Sequence, residues 1–198
     1  MSSGTAVAYV DGSCEPVNPG GIASYGFIVY SARRKVVEGR GVVRTTYTSN
    51  NVAEYTACIM ALEKARELGF KKVVVCSDSQ LLVNQLNGIY SVRSEHLIPL
   101  YDRIQDLINY FVDVRFNWIP RKENREADPL SRIAYEEEVE RMGVEVFRRR
   151  YGRFLATEKQ IAYIRKLGSE PPKYISKVQA SKIIASLKPK EKPLDSFI

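Results

Sequence analysis

Four acids stand where a chain could hold a carboxylate rigidly: Asp11, Glu54, Asp78 and Asp128. Asp11 closes an apolar run, TAVAYVDGS at 5–13, in which Ala6, Ala8 and Val10 alternate with Val7 and Tyr9. Both faces of that run are apolar, as in the central strand of a covered sheet. Asp78 follows a second such run, KVVVCS at 72–77. Glu54 lies in the first turn of a helical pattern, and Asp128 in a helix for which Asn124 is the predicted cap. Singly, each acid has an ordinary structural reading: Glu54 and Asp128 as helix-start acids, Asp78 as an N-terminal cap. As a set they ask for more, because converging carboxylates repel and must take up protons unless a counter-charge intervenes. Divalent cations resolve the conflict, and hard oxygen ligands select Mg²⁺ or Mn²⁺. Two such ions ~3.5–4 Å apart clamp a phosphodiester for in-line attack by water.

The intervening residues must bring these acids together. A loop containing Pro16, Pro19, Gly20 and Gly21 leads into strands predicted at 24–30 and 36–43, with a hairpin over 31–35. Strands joined this closely are antiparallel neighbours. A helix follows to Leu68, capped by Ser49 or Asn50 and closed by Gly69. Its face of Ala53, Ala57, Met60, Ala61 and Ala65 is small enough for close approach to a neighbour. Further helices are predicted at 80–86 and from Ser94 or Glu95 to Tyr110, then a strand at 112–118 and the helix carrying Asp128. The order βββαβααβα implies an α/β fold, a mixed five-stranded sheet with helices on both faces. The runs at 5–13 and 72–77 read as central neighbours, and sites gather beyond the carboxyl ends of such strands.

Composition narrows the class. At 198 residues the chain can bury one domain and carry a small appendage. No window reaches the ~18 apolar residues of a membrane span, and the start MSSGTAVAYV lacks the basic flank of a secretory signal. Cys14, Cys58 and Cys76 have no paired-ligand spacing, which argues against zinc and for a reducing, cytoplasmic setting. A net charge of +7, much of it in Arg148, Arg149, Arg150, Arg153 and the lysines from 159 to 192, favours a polyanionic partner.

Taken together, DGS at 11–13, SNNVAEY at 49–55, SDS at 77–79 and NREAD at 124–128 resemble the four motifs of type 1 ribonuclease H, in order and spacing. The resemblance covers roughly residues 5–142 and implies a ribonuclease H-like fold. It implies an endonuclease that cuts the RNA strand of an RNA–DNA hybrid, leaving 3′-hydroxyl and 5′-phosphate ends. By that likeness Asp11, Glu54, Asp78 and Asp128 are the catalytic ligands of two Mg²⁺ ions, with Mn²⁺ as the alternative metal. Asp11 would bridge both ions, Asp128 would serve the attacking water, and Glu54 and Asp78 the leaving-group side. Gly12, Ser13 and Cys14 would meet RNA sugars, Asn50 and Asn51 the minor groove, and Ser49 and Ser94 a phosphate of the DNA strand. Helix capping alone is the plainer role for Asn50 and Asn51. Double-stranded RNA is the alternative substrate. A non-catalytic hybrid-binding protein is the alternative class, but its mark would be loss of an acid, and all four are present.

Three features depart from the family pattern. The loop IPRKENREA has no histidine, leaving Arg121, Lys122 or Glu123 to take its role; His96, the only histidine, reads as a surface residue. The basic protrusion is shortened to NGIYSVRSEH. Pro129 directly follows Asp128 and disfavours a helical conformation there.

The expected division is a catalytic domain over 1–142, a basic linker over 143–156, a helical hairpin over 157–188 and a flexible tail over 189–198. The hairpin either holds nucleic acid or packs on the catalytic domain. The tail resembles a sliding-clamp-binding peptide of the PIP-box type, with Leu194, Phe197 and Ile198 as anchors and Glu191 where glutamine is usual. An unremarkable tail is the alternative, and a monomer is expected.

Overall fold

The structure, a computed structural model, describes residues 4–188. Three strands, β1 (Thr5–Glu15), β2 (Ile22–Ser31) and β3 (Arg34–Val42), lead to α1 (Asn50–Glu67). Then come β4 (Lys72–Ser77), α2 (Gln80–Leu86), α3 (Ile98–Ile108), β5 (Asp113–Trp118) and α4 (Ala127–Met142). The chain continues through α5 (Val144–Tyr151) to a hairpin of α6 (Glu158–Lys166) and α7 (Lys177–Leu187). The expected mixed five-stranded sheet is present in the order β3-β2-β1-β4-β5. β1, β2 and β3 pair antiparallel, whereas β1 with β4 and β4 with β5 pair parallel.

The two faces of β1 are covered by different helices. Ala6, Ala8 and Val10 are fully buried beneath α1, in a core with Val73, Val75, Ala57, Ala61 and Leu62. On the opposite face α4 crosses β2 so closely that a Cβ at Gly26 would stand 2.6 Å from the Ala127 carbonyl oxygen and the Ser131 nitrogen. A Cβ at Gly12 would likewise meet the Ala53 carbonyl carbon and the Glu54 nitrogen at 2.3 Å. These two glycines set how near α1 and α4 come to the central strands.

Several boundaries differ from expectation. β1 does not turn at Gly12; it continues to Glu15, held by β2 through the pair Glu15–Ile22. α3 begins at Ile98 rather than Ser94, because residues 95–97 form a turn whose Leu97 and Ile98 N–H groups donate to the Ser94 carbonyl. α4 begins at Ala127, so Asn124 is not its cap, and Pro129 takes the third helical position, where an N–H would have no intrahelical partner.

The linker expected over 143–156 is replaced by ordered structure. Val144–Tyr151 is helical, burying Phe147 and Tyr151 with Ile22, Tyr135 and Val139. Phe147 lies edge-on to Tyr135 and Tyr174, with centroids 6.1 and 5.7 Å away. A two-turn helix that buries only two side chains, with three consecutive arginines between them, shows no clear period, which is why its pattern reads as irregular. The hairpin starts both its helices with capping boxes, at Thr157 and Ser176, and buries Ile164, Ile175 and Ala180 between them. It docks on the rest of the chain: Tyr135 Oη donates to the Tyr174 carbonyl at 2.9 Å and Gln179 Nε2 to Glu15 at 2.6 Å. Among the described residues no helix is long and apolar enough to cross a membrane. Leu194, Phe197 and Ile198 lie outside the described residues.

Candidate active site

The parallel ladder between β1 and β4 ends at Tyr9 and Cys76. Asp11 and Asp78 each stand two residues beyond that last pair, Asp11 where β1 pairs with β2 alone and Asp78 just past the end of β4. Asp11 points to the α4 face, opposite Val10 and Gly12. It is only 8% exposed, and its Oδ2 accepts a 2.5 Å hydrogen bond from Ser131 Oγ. Ser131 lies one turn after Asp128 on α4, with its Oγ 2.9 Å from the Asp128 carbonyl oxygen. A single turn of α4 therefore supplies one acid and an orienting hydroxyl for another.

Glu54 comes from the first turns of α1, brought up to β1 by the close approach at Gly12. Ser79 Oγ donates to Glu54 Oε2 at 2.5 Å and also accepts from the Leu82 N–H, so the cap of α2 orients the acid of α1. Asp78 accepts from Asn124 Nδ2 at 2.8 Å, and the same amide donates to the Val10 carbonyl at 2.9 Å. Asn124 is 1% exposed and its Oδ1 has no partner among the described residues. Its donors, which tie Asp78 to β1, are thus kept at the expense of its acceptor. Asp128 pairs with Arg121 Nη2 at 2.5 Å.

The acids feel one another. Burial pushes Asp11 up to about 6, the Asp128 and Asp78 charges add to the rise, and the Ser131 hydrogen bond opposes it. Burial pushes Glu54 up to about 7, with Asp11 and Asp78 adding and Ser79 opposing. The guanidinium of Arg121 favours the charged form of both. Among the described residues no three acidic, histidine or cysteine side chains are set to enclose an ion in this arrangement, in which each of the four acids is tied to a protein donor. The donor set nevertheless fits a divalent cation. It is all carboxylate oxygen, burial and neighbouring carboxylates hold two of its members toward the protonated form, and a side-chain cation already sits against a third.

The other expected site residues surround this cluster. Ser49 caps α1, accepting from the Val52 N–H at 3.2 Å. Asn50 is no cap: its Oδ1 accepts from the Cys14 N–H at 2.7 Å, tying the α1 start to the segment Gly12, Ser13, Cys14. Ser13 Oγ lies 3.1 Å from Ser24 Oγ, and Cys14 is buried. Asn51 is half-buried in the first turn of α1, and Ser94 is exposed before α3. His96 is exposed and stacks on Tyr47 with ring centroids 3.7 Å apart. Sequence reasoning did not foresee the orienting roles of Ser79, Ser131 and Asn124; Asn124 and Ser79 were visible only as helix-start residues.

A family model described as reverse transcriptase-like matches residues 9–134. The bifunctional protein Rv2228c of Mycobacterium tuberculosis is 36% identical over 117 residues, covering 59% of this chain and 32% of that protein. The chain thus spans about a third of the length of that relative. The solved N-terminal RNase H domain of Rv2228c superposes with a TM-score of 0.66 at 32% identity, covering 71% of this chain and 100% of that one. Ribonuclease HI of Halobacterium salinarum is 35% identical over 136 residues, 68% of this chain and 66% of its own. The structure of LC11-RNase H1 in complex with an RNA/DNA hybrid matches with a TM-score of 0.62 at 31% identity, over 68% of this chain and 99% of that one. On the sheet order, the four acids and these matches, the chain belongs to the ribonuclease HI family.

Proposed function

We propose that this chain is a metal-dependent endonuclease that hydrolyses the RNA strand of RNA–DNA hybrids, leaving 3′-hydroxyl and 5′-phosphate ends. The observation that carries the reading is that acids from four separate parts of the chain act on one another, Asp128 and Asp78 on Asp11, and Asp11 and Asp78 on Glu54. The solved relative bound to an RNA/DNA hybrid supports the substrate class. These acids would hold two Mg²⁺ ions, with Mn²⁺ as the alternative, and the ions would supply an activated water and charge neutralisation at the phosphate.

The protein's own part is orientation. Ser131, Ser79 and Asn124 fix the acids, much as partners behind a metal ligand fix its direction. Arg121, paired with Asp128, offsets part of the cluster's charge, and Asp128 would have to give up that partner to hold a cation. Discrimination of RNA from DNA needs a contact to the 2′-hydroxyl. Gly12, Ser13 and Cys14 would meet such a sugar, and Asn50, which holds this segment through the Cys14 N–H, would with Asn51 meet the minor groove. Ser49 and Ser94 would hold a phosphate of the DNA strand.

Asp11→Asn and Asp78→Asn are expected to lower hybrid cleavage by more than about a hundredfold, the upper range for residues that merely orient a ligand. Hybrid binding in EDTA should survive. Cleavage of a hybrid, an RNA duplex and a DNA duplex, each with Mg²⁺, Mn²⁺ or EDTA, tests the reading. Undiminished cleavage by either variant, or cleavage in EDTA, defeats it, and cutting of the RNA duplex widens the substrate class.

A further inference from the structure

A strongly basic surface lies outside the acid cluster. α5 buries Phe147 and Tyr151, one turn apart, and so presents Arg148, Arg149 and Arg150 to solvent. Arg153 follows, and residues 141–160 hold six basic side chains against two acidic ones. Among the described residues these four arginines make no ion pair, whereas neighbouring Arg44 and Arg141 are both committed to Glu138. Arg150 and Arg153 instead lie over the rings of Tyr151 and Phe154, 5.2 and 4.6 Å from the centroids. Stacking holds the guanidinium groups in place while leaving their donor edges open. A row of such forks repels itself until it meets an anion, and its geometry suits phosphate.

The basic surface adjoins the rim of the acid cluster. Arg150 and Tyr151 line a groove with Arg44, Thr45, Thr46 and Thr48. Tyr151 Oη donates to the Gly20 carbonyl at 3.4 Å, the Gly20 N–H to the Thr48 carbonyl at 2.9 Å, and Thr48 Oγ1 to the Gly21 carbonyl at 2.8 Å. The next residue, Ser49, caps α1, and Asn50 and Glu54 follow about 6 Å apart along its axis. On the other flank, residues 79–100 contain a single Lys or Arg, Arg93. Of these two segments, the α5 side carries the greater positive charge.

We propose that α5 and Arg153, with the groove along residues 44–48, form a second nucleic-acid contact that holds the phosphodiester backbone of the duplex beyond the scissile region. The proposal rests on the hybrid-cleaving reading and extends it. The arginines position the duplex and take no part in chemistry. The test compares the full chain with R148Q/R149Q/R150Q and with R148K/R149K/R150K, which keeps the charge. Binding in EDTA is measured across salt concentrations on a long hybrid of about 20 base pairs and a short one of about 8.

On the long hybrid the glutamine variant should lower the slope of log affinity against log salt by about 2–3, each phosphate contact contributing about 0.9. With Mg²⁺ its KM should rise with kcat unchanged. The lysine variant should keep the wild-type slope, and the short hybrid should not distinguish the three proteins. An unchanged slope, an equal loss on both lengths, or an equal loss in the lysine variant overturns the proposal. Wild-type cleavage of the long hybrid, run alongside, separates the two readings. Cleavage with an unchanged slope defeats only the second contact, and a lowered slope without cleavage defeats only the nuclease reading.

Discussion

Asp11 and Glu54 are held at about 6 and about 7, above their ordinary 3.8 and 4.5, chiefly by burial. Groups raised in this way stabilise the fold fully below their unfolded values, and the contribution is lost as pH rises through the folded values. Metal-free protein should therefore lose stability between about pH 4 and about pH 7. A divalent cation among the carboxylates removes that loss, so its gain in Tm should be larger at about pH 8 than at about pH 5. Thermal unfolding in EDTA and in Mg²⁺ at both values measures this, and an equal gain would argue that the cation sits elsewhere. The acids themselves were legible in the sequence, because each follows an apolar run or lies near the start of a helical pattern. Their supports were not. Ser79 reaches an acid 25 residues away and Ser131 one 120 residues away, distances that no local pattern reports.

At the scale of elements, the site depends on how near two helices come to the central strands. A methyl group at position 12 would stand 2.3 Å from α1 backbone atoms, and one at position 26 would stand 2.6 Å from α4 backbone atoms. Gly12→Ala and Gly26→Ala should each destabilise by about 1–3 kcal/mol, the usual range for forcing extra volume into a packed interior. A lower urea midpoint at unchanged slope is the expected result. Cleavage should slow as well, since Glu54 and Asp128 ride on the displaced helices. A variant with wild-type midpoint would mean that the helix spacing is not set there. The five strands, α1 and the adjacency of the two acid-bearing strands could all be read from the apolar pattern. Gly12, however, reads as the opening of a turn, since only the partner helix reveals that it belongs to a strand under close approach. Asn124 similarly reads as a cap because its true partners, Val10 and Asp78, belong to β1 and to the end of β4.

At the scale of the molecule, α5 joins the hairpin to the sheet domain. Phe147 is fully buried among Ile22, Tyr135, Val139 and Tyr151, so Phe147→Ala should cost about 3–5 kcal/mol, as for other buried aromatic truncations. That loss should appear in the unfolding of the catalytic core itself, followed through Trp118 fluorescence. A transition in which Trp118 is unaffected would instead make the C-terminal segment an independent unit. The basic run 148–150 hid this role, because charge dominates the composition while Phe147 and Tyr151 do the packing. One further property follows from the way β1 outlasts its parallel partner. A strand paired on one side only is a template on which a foreign chain can add itself. Here Asn124 occupies the Val10 carbonyl and Asn50 the Cys14 N–H, so amide side chains end the ladder where another strand would otherwise join. The mouth above the acids can stay open to a duplex without inviting cross-β self-association.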